Sequence, residues 1–172
     1  MDKSSDTSKL GFLKYRYTLG MATMTGRGFY YPVDVGIAPN GHLYVLGRAH
    51  EGDTRGIQVC IMDQNGGYYG IFGSVGEGDG QFIWTTSIVV DSRGDVYVSD
   101  EYLNRISVFD PSGKFIRKWG TSGDAPGELN GPSGMAFDAN ENLYIADHKN
   151  SRVQKFSRYG DCLHSFGING HN

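Results

Sequence analysis

The chain is short of most features that would tie it to a compartment or a reaction. It has only two cysteines, Cys60 and Cys162, in 172 residues. They stand at non-equivalent strand positions a whole repeat apart. Two such thiols make neither a disulfide framework nor a zinc motif, and they read as small core hydrophobes. The start, MDKSSDTSKLG, has no apolar stretch of the kind a secretory signal needs. No run of 18 apolar residues is present, so no segment reads as a membrane-spanning helix. Asn-x-Ser/Thr acceptors are absent as well. Together these favour a cytoplasmic location. Positive charge is scarce too: 16 Lys and Arg against 19 Asp and Glu give a net charge of −3. Such a chain has no general attraction for nucleic acid or acidic membranes.

Glycine and aromatic residues are abundant instead. There are 26 glycines, and aromatics reach 13%, which suits many tight turns between sheets with bulky inner faces. Residues 80–120 show why. Four short β-type runs, TSIVV, DVYVS, RISVF and KFIRKW, are separated by Asp-Ser-Arg-Gly, by Asp100 to Asn104, and by Asp-Pro-Ser-Gly. Strands at this spacing with these turns predict one up-and-down antiparallel sheet.

The unit recurs. A shift of 47 residues superposes Asp91 on Asp138, Tyr97 on Tyr144, Asp100 on Asp147, Arg105 on Arg152 and Gly113 on Gly160, among nine identities from position 73 onward. An upstream copy aligns Phe29 with Phe82 and Tyr44 with Tyr97 at a spacing of 53, returning to 47 by Asp63. Six extra residues therefore lie between Gly47 and Ile57. A period in the forties with four strands per unit predicts propeller blades. The reading is a loose polar tail at 1–10 and a propeller segment at 11–172. That segment comprises an outer strand at 14–19, blade 1 at 29–73, blade 2 at 80–120 and blade 3 at 127–167.

Blades pack face to face, and rings take four to eight of them. Three blades and one orphan strand leave two sheet faces bare. Covering ~400 Å² of such surface is worth ~10 kcal/mol at ~25 cal/mol/Å². The chain is thus expected to be part of a longer propeller or half of a six-bladed ring closed by a second copy.

The pattern Gly-Gln-Phe, then an apolar strand ending in Asp, then Val-Tyr-Val-Ser-Asp and Asn-Arg-Ile-x-Val-Phe-Asp resembles the NHL repeat. Blade 3 repeats it in Leu143-Tyr144-Ile145-Ala146-Asp147 and Asn150-Ser151-Arg152-Val153. The resemblance implies a six-bladed propeller. Members of that family serve as protein-binding platforms, RNA readers, sensor domains and, in a few cases, lyases. Blade 1 departs from the pattern, with Leu46-Gly47 where the others have Ser-Asp or Ala-Asp.

Candidate site residues lie on the face that carries the between-blade connectors. Asp100 and Asp147 end second strands, and Arg105 and Arg152 begin third strands. They should pair, or the carboxylates should hold the turn amides; the functional alternative is a binding rim. The insertion Arg48-Ala49-His50-Glu51-Gly52-Asp53-Thr54-Arg55 breaks the repeat and is strongly polar. Arg48, His50, Glu51, Asp53 and Arg55 are its candidate ligand groups, against the plain alternative of a solvated loop. No catalytic residue is singled out and no cofactor is expected. Were a calcium or zinc ion bound, Asp34 and His50 would be the nearest candidates. The run Gly73 to Gly80 precedes a strand, so it is no phosphate cradle. Asp138 to Asn142 reads as a local turn rather than a calcium loop. Arg117, Lys118 and Trp119 form one small basic cluster of edge-strand type.

The expectation is a non-catalytic scaffold binding a protein or small polar ligand through the loop face. A metal-dependent propeller lyase or lactonase is the first alternative, and RNA binding the second.

Overall fold

The computed structural model describes residues 29–50 and 52–167. The expected tail at 1–10, the outer strand at 14–19 and Glu51 fall outside them. Three four-stranded antiparallel sheets follow one another along the chain. The first holds β1 (Pro32–Ile37), β2 (His42–Gly47), β3 (Val59–Asp63) and β4 (Tyr68–Phe72). A connector with two short strands, β5 (Ser74–Val75) and β6 (Gln81–Phe82), leads to the second. That sheet holds β7 (Thr85–Val90), β8 (Val96–Asp100), β9 (Arg105–Phe109) and β10 (Phe115–Trp119). The third holds β11 (Pro132–Phe137), β12 (Leu143–Asp147), β13 (Arg152–Phe156) and β14 (Cys162–Phe166). Within each sheet the spatial order is the chain order. This is an all-β arc of propeller blades.

The turns explain the meander. Asp91 accepts the amides of Arg93 and Asp95, and Asp138 accepts those of Asn140 and Asn142. These are local carboxylate-closed turns, as the composition implies. The glycine run after β4 carries a strand pair instead of a phosphate cradle: β5 and β6 pair in parallel.

Two apolar clusters hold the blades together, and each spans a boundary. Tyr44, Leu46 and Phe72 of blade 1 pack on Phe82, Ile88 and Phe109 of blade 2. Tyr97, Ile106 and Val108 of blade 2 pack on Leu129, Leu143 and Phe156 of blade 3. The contacts repeat in register. The Phe72 ring rests on Gly113, where an added Cβ would meet it at 2.5 Å; the Trp119 ring rests on Gly160, where the distance would be 2.6 Å. Tyr44 donates to the Pro111 carbonyl (2.9 Å) and Tyr97 to that of Arg158 (3.4 Å). Hydrogen bonding and ring packing therefore share one 47-residue rule.

The rule ends at the flanks. Ile37 takes the place of Val90 and Phe137, which pack on the two clusters, yet Ile37 is 68% exposed. Phe166 takes the place of Phe72 and Trp119 and is 45% exposed.

Cys60 is buried and Cys162 half-buried, both as free thiols. Burial pushes the Cys60 thiol pKa up, which disfavours the reactive thiolate. Among the described residues, no helix is long and apolar enough to cross a membrane.

Candidate functional site on the connector face

Every inner strand starts at the same end of the arc, because each blade has four alternating strands and the chain returns inward after the fourth. That end carries the connectors 73–84 and 120–131 and the second-to-third strand loops. All the site residues named from sequence, apart from Glu51 and Asp34, have described positions on this face.

Asp100, Arg105, Asp147 and Arg152 form two clasps. The Arg105 guanidinium donates to the carbonyls of Glu77 (2.7 Å), Gly78 (2.9 Å) and Gln81 (2.9 Å). Arg152 donates to Asp124 (2.5 Å), Ala125 (3.0 Å) and Glu128 (2.8 Å), the same three places 47 residues on. Asp100 accepts the amides of Ile83, Trp84, Tyr102 and Leu103. Asp147 accepts the Asn130 amide (2.6 Å), Asn150 Nδ2 (2.9 Å) and Arg152 Nε (2.8 Å). Both carboxylates are buried. The pairing expected from sequence occurs in blade 3, while in blade 2 the aspartate holds main-chain amides instead. Burial pulls the Arg105 pKa down, with the nearby Asp100 charge opposing it.

Inside the clasps runs a second repeated feature. The residue after each second strand donates its amide to the residue before the inner strand: Arg48 to Tyr31 (3.2 Å), Glu101 to Trp84 (2.9 Å), His148 to Gly131 (3.4 Å). The side chains then reach across to the next blade. Glu101 lies 3.2 Å from Lys149 Nζ and 4.0 Å from His148 Nε2. Arg48 instead lies over the Trp84 ring, 4.7 Å from its centroid. Among the described residues, no carboxylate pairs with Arg48. Trp84, Glu101, Tyr102 and Lys149 line a shallow cleft of about 230 Å³.

The insertion folds back on itself. His50 and Asp53 exchange main-chain hydrogen bonds (3.2 and 2.8 Å). The Asp53 carboxylate binds Arg55 Nε at 2.8 Å and the Tyr30 hydroxyl at 2.9 Å. The Arg55 hydrogen bonds hold the Asp53 pKa well below the usual carboxylate range. His50 stacks on Tyr31 at 4.0 Å between centroids. Thus, among the described residues of the insertion, Arg48 lies over the blade 2 indole while Asp53 and Arg55 pair with each other.

Asp34 braces two inner strands. It accepts from Ser87 Oγ (2.8 Å) and the Ile88 amide (2.9 Å) of blade 2. Among the described residues, no three His, Cys, Asp or Glu side chains gather as a metal cage. In the basic cluster, Arg117 is spent on the Arg158 carbonyl (2.6 Å) and Lys118 on Asp79 (2.9 Å).

Sequence reasoning passed over the aromatic residues of this face. Trp84 and Tyr102 are 40% and 65% exposed. A signal was available: Tyr31, Trp84 and Gly131 are equivalent positions just before an inner strand, and bulky rings there have no blade to pack into.

Comparison with known proteins places the fold. Residues 129–156 match the model of the NHL repeat. A structure of streptogramin B lyase is similar at 15% identity over 87% of this chain and 43% of its own, with a TM-score of 0.61. Virginiamycin B lyase from Staphylococcus aureus is similar at 15% identity over 80% of this chain and 41% of its own (TM-score 0.58). Hydrazine synthase from Kuenenia stuttgartiensis is similar at 16% identity over 90% of this chain and 41% of its own (TM-score 0.59). The chain thus spans somewhat less than half the length of each of these structures, and at such identities the likeness is one of fold. Among curated proteins none matches the sequence.

Proposed function

We propose, from an arc of propeller blades in which residues 129–156 match the NHL repeat, that the chain is a non-catalytic scaffold whose connector face binds a protein or a small polar ligand. One observation carries the reading. The clasp residues are spent on holding the connectors, while Trp84 and Tyr102 are left exposed on the resulting rigid rim, with Arg48 half-buried over the Trp84 ring. Tryptophan, tyrosine and arginine are the residues that dominate binding surfaces, because they present large contact area with few freely rotating bonds.

The test is a paired substitution. Trp84→Ala with Tyr102→Ala should weaken binding of the cognate ligand at least about ten-fold, since each such anchor is worth ~1–2 kcal/mol. Arg93→Ala on the opposite face should leave it unchanged. The reverse pattern would refute the proposal. A stoichiometric divalent ion in the purified protein, lost on Asp34→Ala, would instead favour the lyase-like reading.

The flanks belong to the same proposal. The places of Ile37 and Phe166 are occupied by packed side chains at both internal blade boundaries, so each flank is suited to a further propeller blade.

A further inference from the structure

We propose that the open groove of about 420 Å³ on the flank of blade 3 is a socket for Phe29 of a second copy of this chain. Blade 1 of one molecule then docks on blade 3 of the other in the register of the internal blade boundaries. The inference rests on the reading that each flank is suited to a further blade, and it names that blade and the fit.

The two internal boundaries define what such a joint needs. At each, the following blade brings an apolar residue from just before its inner strand, Phe82 or Leu129, and both are fully buried. Phe82 lies on Gly73 and Leu129 on Gly120 of the preceding blade, where an added Cβ would meet them at 2.4 and 2.9 Å. A second fit runs the opposite way. The Phe72 and Trp119 rings of the preceding blades rest on Gly113 and Gly160 of the following ones. Each joint is thus a pair of side chains laid on a pair of glycines, with apolar strand faces between them.

The outer flanks carry the missing halves of both fits. On blade 3, Gly167 stands at the place of Gly73 and Gly120, but among the described residues the atoms nearest an added Cβ belong to Ser151 and Arg152 of its own blade. With Val153 and Phe166 it lines the groove. Val153 is 38% exposed, whereas its equivalents Val59 and Ile106 are fully buried. On blade 1, Phe29 stands at the place of Phe82 and is only half-buried. Gly66 stands at the place of Gly113 and Gly160, and among the described residues nothing lies within 4 Å of its added Cβ. The seat for a ring such as Phe166 is therefore open. Val35 and Ile37 stand where Ile88 and Val90 pack at the first boundary and Met135 and Phe137 at the second. One residue departs from the rule: Lys155 replaces Ile61 and Val108. Its Nζ lies 3.1 Å from Asp138 and over the Tyr144 ring, so its charge is matched within its own blade.

This contact joins unlike surfaces, blade 3 to blade 1. Two such contacts related by a two-fold axis link six blades, within the four to eight that propeller rings use. Burying the exposed apolar faces on both flanks supplies the driving force.

Light scattering over a concentration series reads the joint. Wild type is expected at twice the 18.9 kDa of one chain. Ile37→Asp and Phe166→Asp, each at an exposed side chain, should each give the single-chain mass with an unchanged circular dichroism spectrum. Mixed in equal amounts, they should regain a two-chain species, because blade 3 of the first variant and blade 1 of the second are both intact. Phe29→Ala, and Val153→Glu in the socket, should each raise the dissociation constant at least about ten-fold. Unchanged constants for both would overturn the socket. A doubled mass that only one of the two aspartate variants abolishes, or a mixture that regains nothing, would overturn this docking while leaving each flank suited to a blade. Growth beyond two chains would overturn the closed pair, and a wild-type chain that stays single would remove both the docking and the flank reading. The connector-face role stands on ligand binding at Trp84 and Tyr102, which the mass does not measure.

Discussion

Arg105 and Arg152, 47 residues apart, place their guanidinium groups on equivalent carbonyls of successive connectors: Glu77, Gly78 and Gln81 in one case, Asp124, Ala125 and Glu128 in the other. Each connector thereby has three of its main-chain carbonyls gathered by one side chain. The two clasps differ at one atom. Arg152 Nε reaches Asp147 at 2.8 Å, while Arg105 Nε is buried without a partner.

That difference gives a graded expectation. Arg152→Met deprives the buried Asp147 of its cation and removes one donor from each of three connector carbonyls, and should cost about 3–5 kcal/mol. Arg105→Met removes the carbonyl bonds but leaves Asp100 with its four amides, and should cost less, about 2–3 kcal/mol. Denaturant unfolding monitored by circular dichroism measures both. An equal or reversed order would contradict the clasp assignment.

The glycine under each outer ring should resist substitution. Gly160 has φ +100° and would press a Cβ into the Trp119 ring at 2.6 Å. Gly160→Ala combines backbone strain with overpacking and should cost about 2–4 kcal/mol. Gly41→Ala is the control. Its φ is +85°, but among the described residues nothing lies within 4 Å of the added atom, so only the backbone share, about 1 kcal/mol, is expected. Thermal melts of the two variants separate packing from conformation, and equal losses would mean that the ring contact is idle.

Two aspartates should titrate on opposite sides of the ordinary carboxylate value of ~3.9. The main-chain and side-chain amides of Asn142 hold the Asp138 pKa well below it. Burial, with the Asp91 charge beside it, pushes the Asp95 pKa up. The depressed group adds stability that is complete above ~3.9 and is lost as the pH falls through its folded-state value. The raised group works in reverse: its contribution is present in acid and lost as the pH rises through its folded-state value. Asp95→Asn should therefore stabilise the protein at neutral pH by a fraction of ~1 kcal/mol, with the gain disappearing in acid. Carboxyl carbon NMR against pH checks the order, and coincident midpoints would contradict it.

The bare flanks predict association. Ile37 and Phe166 occupy places that are packed at both internal blade boundaries. Light scattering at micromolar concentration should give a mass above the 18.9 kDa of one chain, with Ile37→Asp lowering it. A wild-type chain that stays monodisperse at the single-chain mass would show that the flanks tolerate water.

The fold was legible because its constraints are local and repeated. A turn aspartate such as Asp138, a strand-ending Asp147 and a ring-bearing Phe72 recur at a fixed period, and physics asks the same of each copy. The clasps were half legible. The Asp and Arg positions stood out, but Asp147 and Arg152 pair whereas Asp100 holds amides, and the difference depends on Gln154 and Asn150, which blade 3 alone supplies around its aspartate. The meeting of Arg48 with Trp84 was hidden. It joins an irregular insertion to the next blade, and no spacing rule runs from one to the other. The same insertion looked like a gathered set of polar ligands. In the fold, Asp53 and Arg55 pair with each other, a pairing that the order of charges along the loop does not reveal.

The most direct test of the account is an amide NMR map of the protein with its ligand bound. The account predicts shifts concentrated at Tyr31, Arg48, Trp84, Glu101 and Tyr102 on the connector face. Shifts centred instead on the opposite face, around the small cavity of about 110 Å³ lined by Pro39, Tyr44, Arg93 and Pro111, would contradict it.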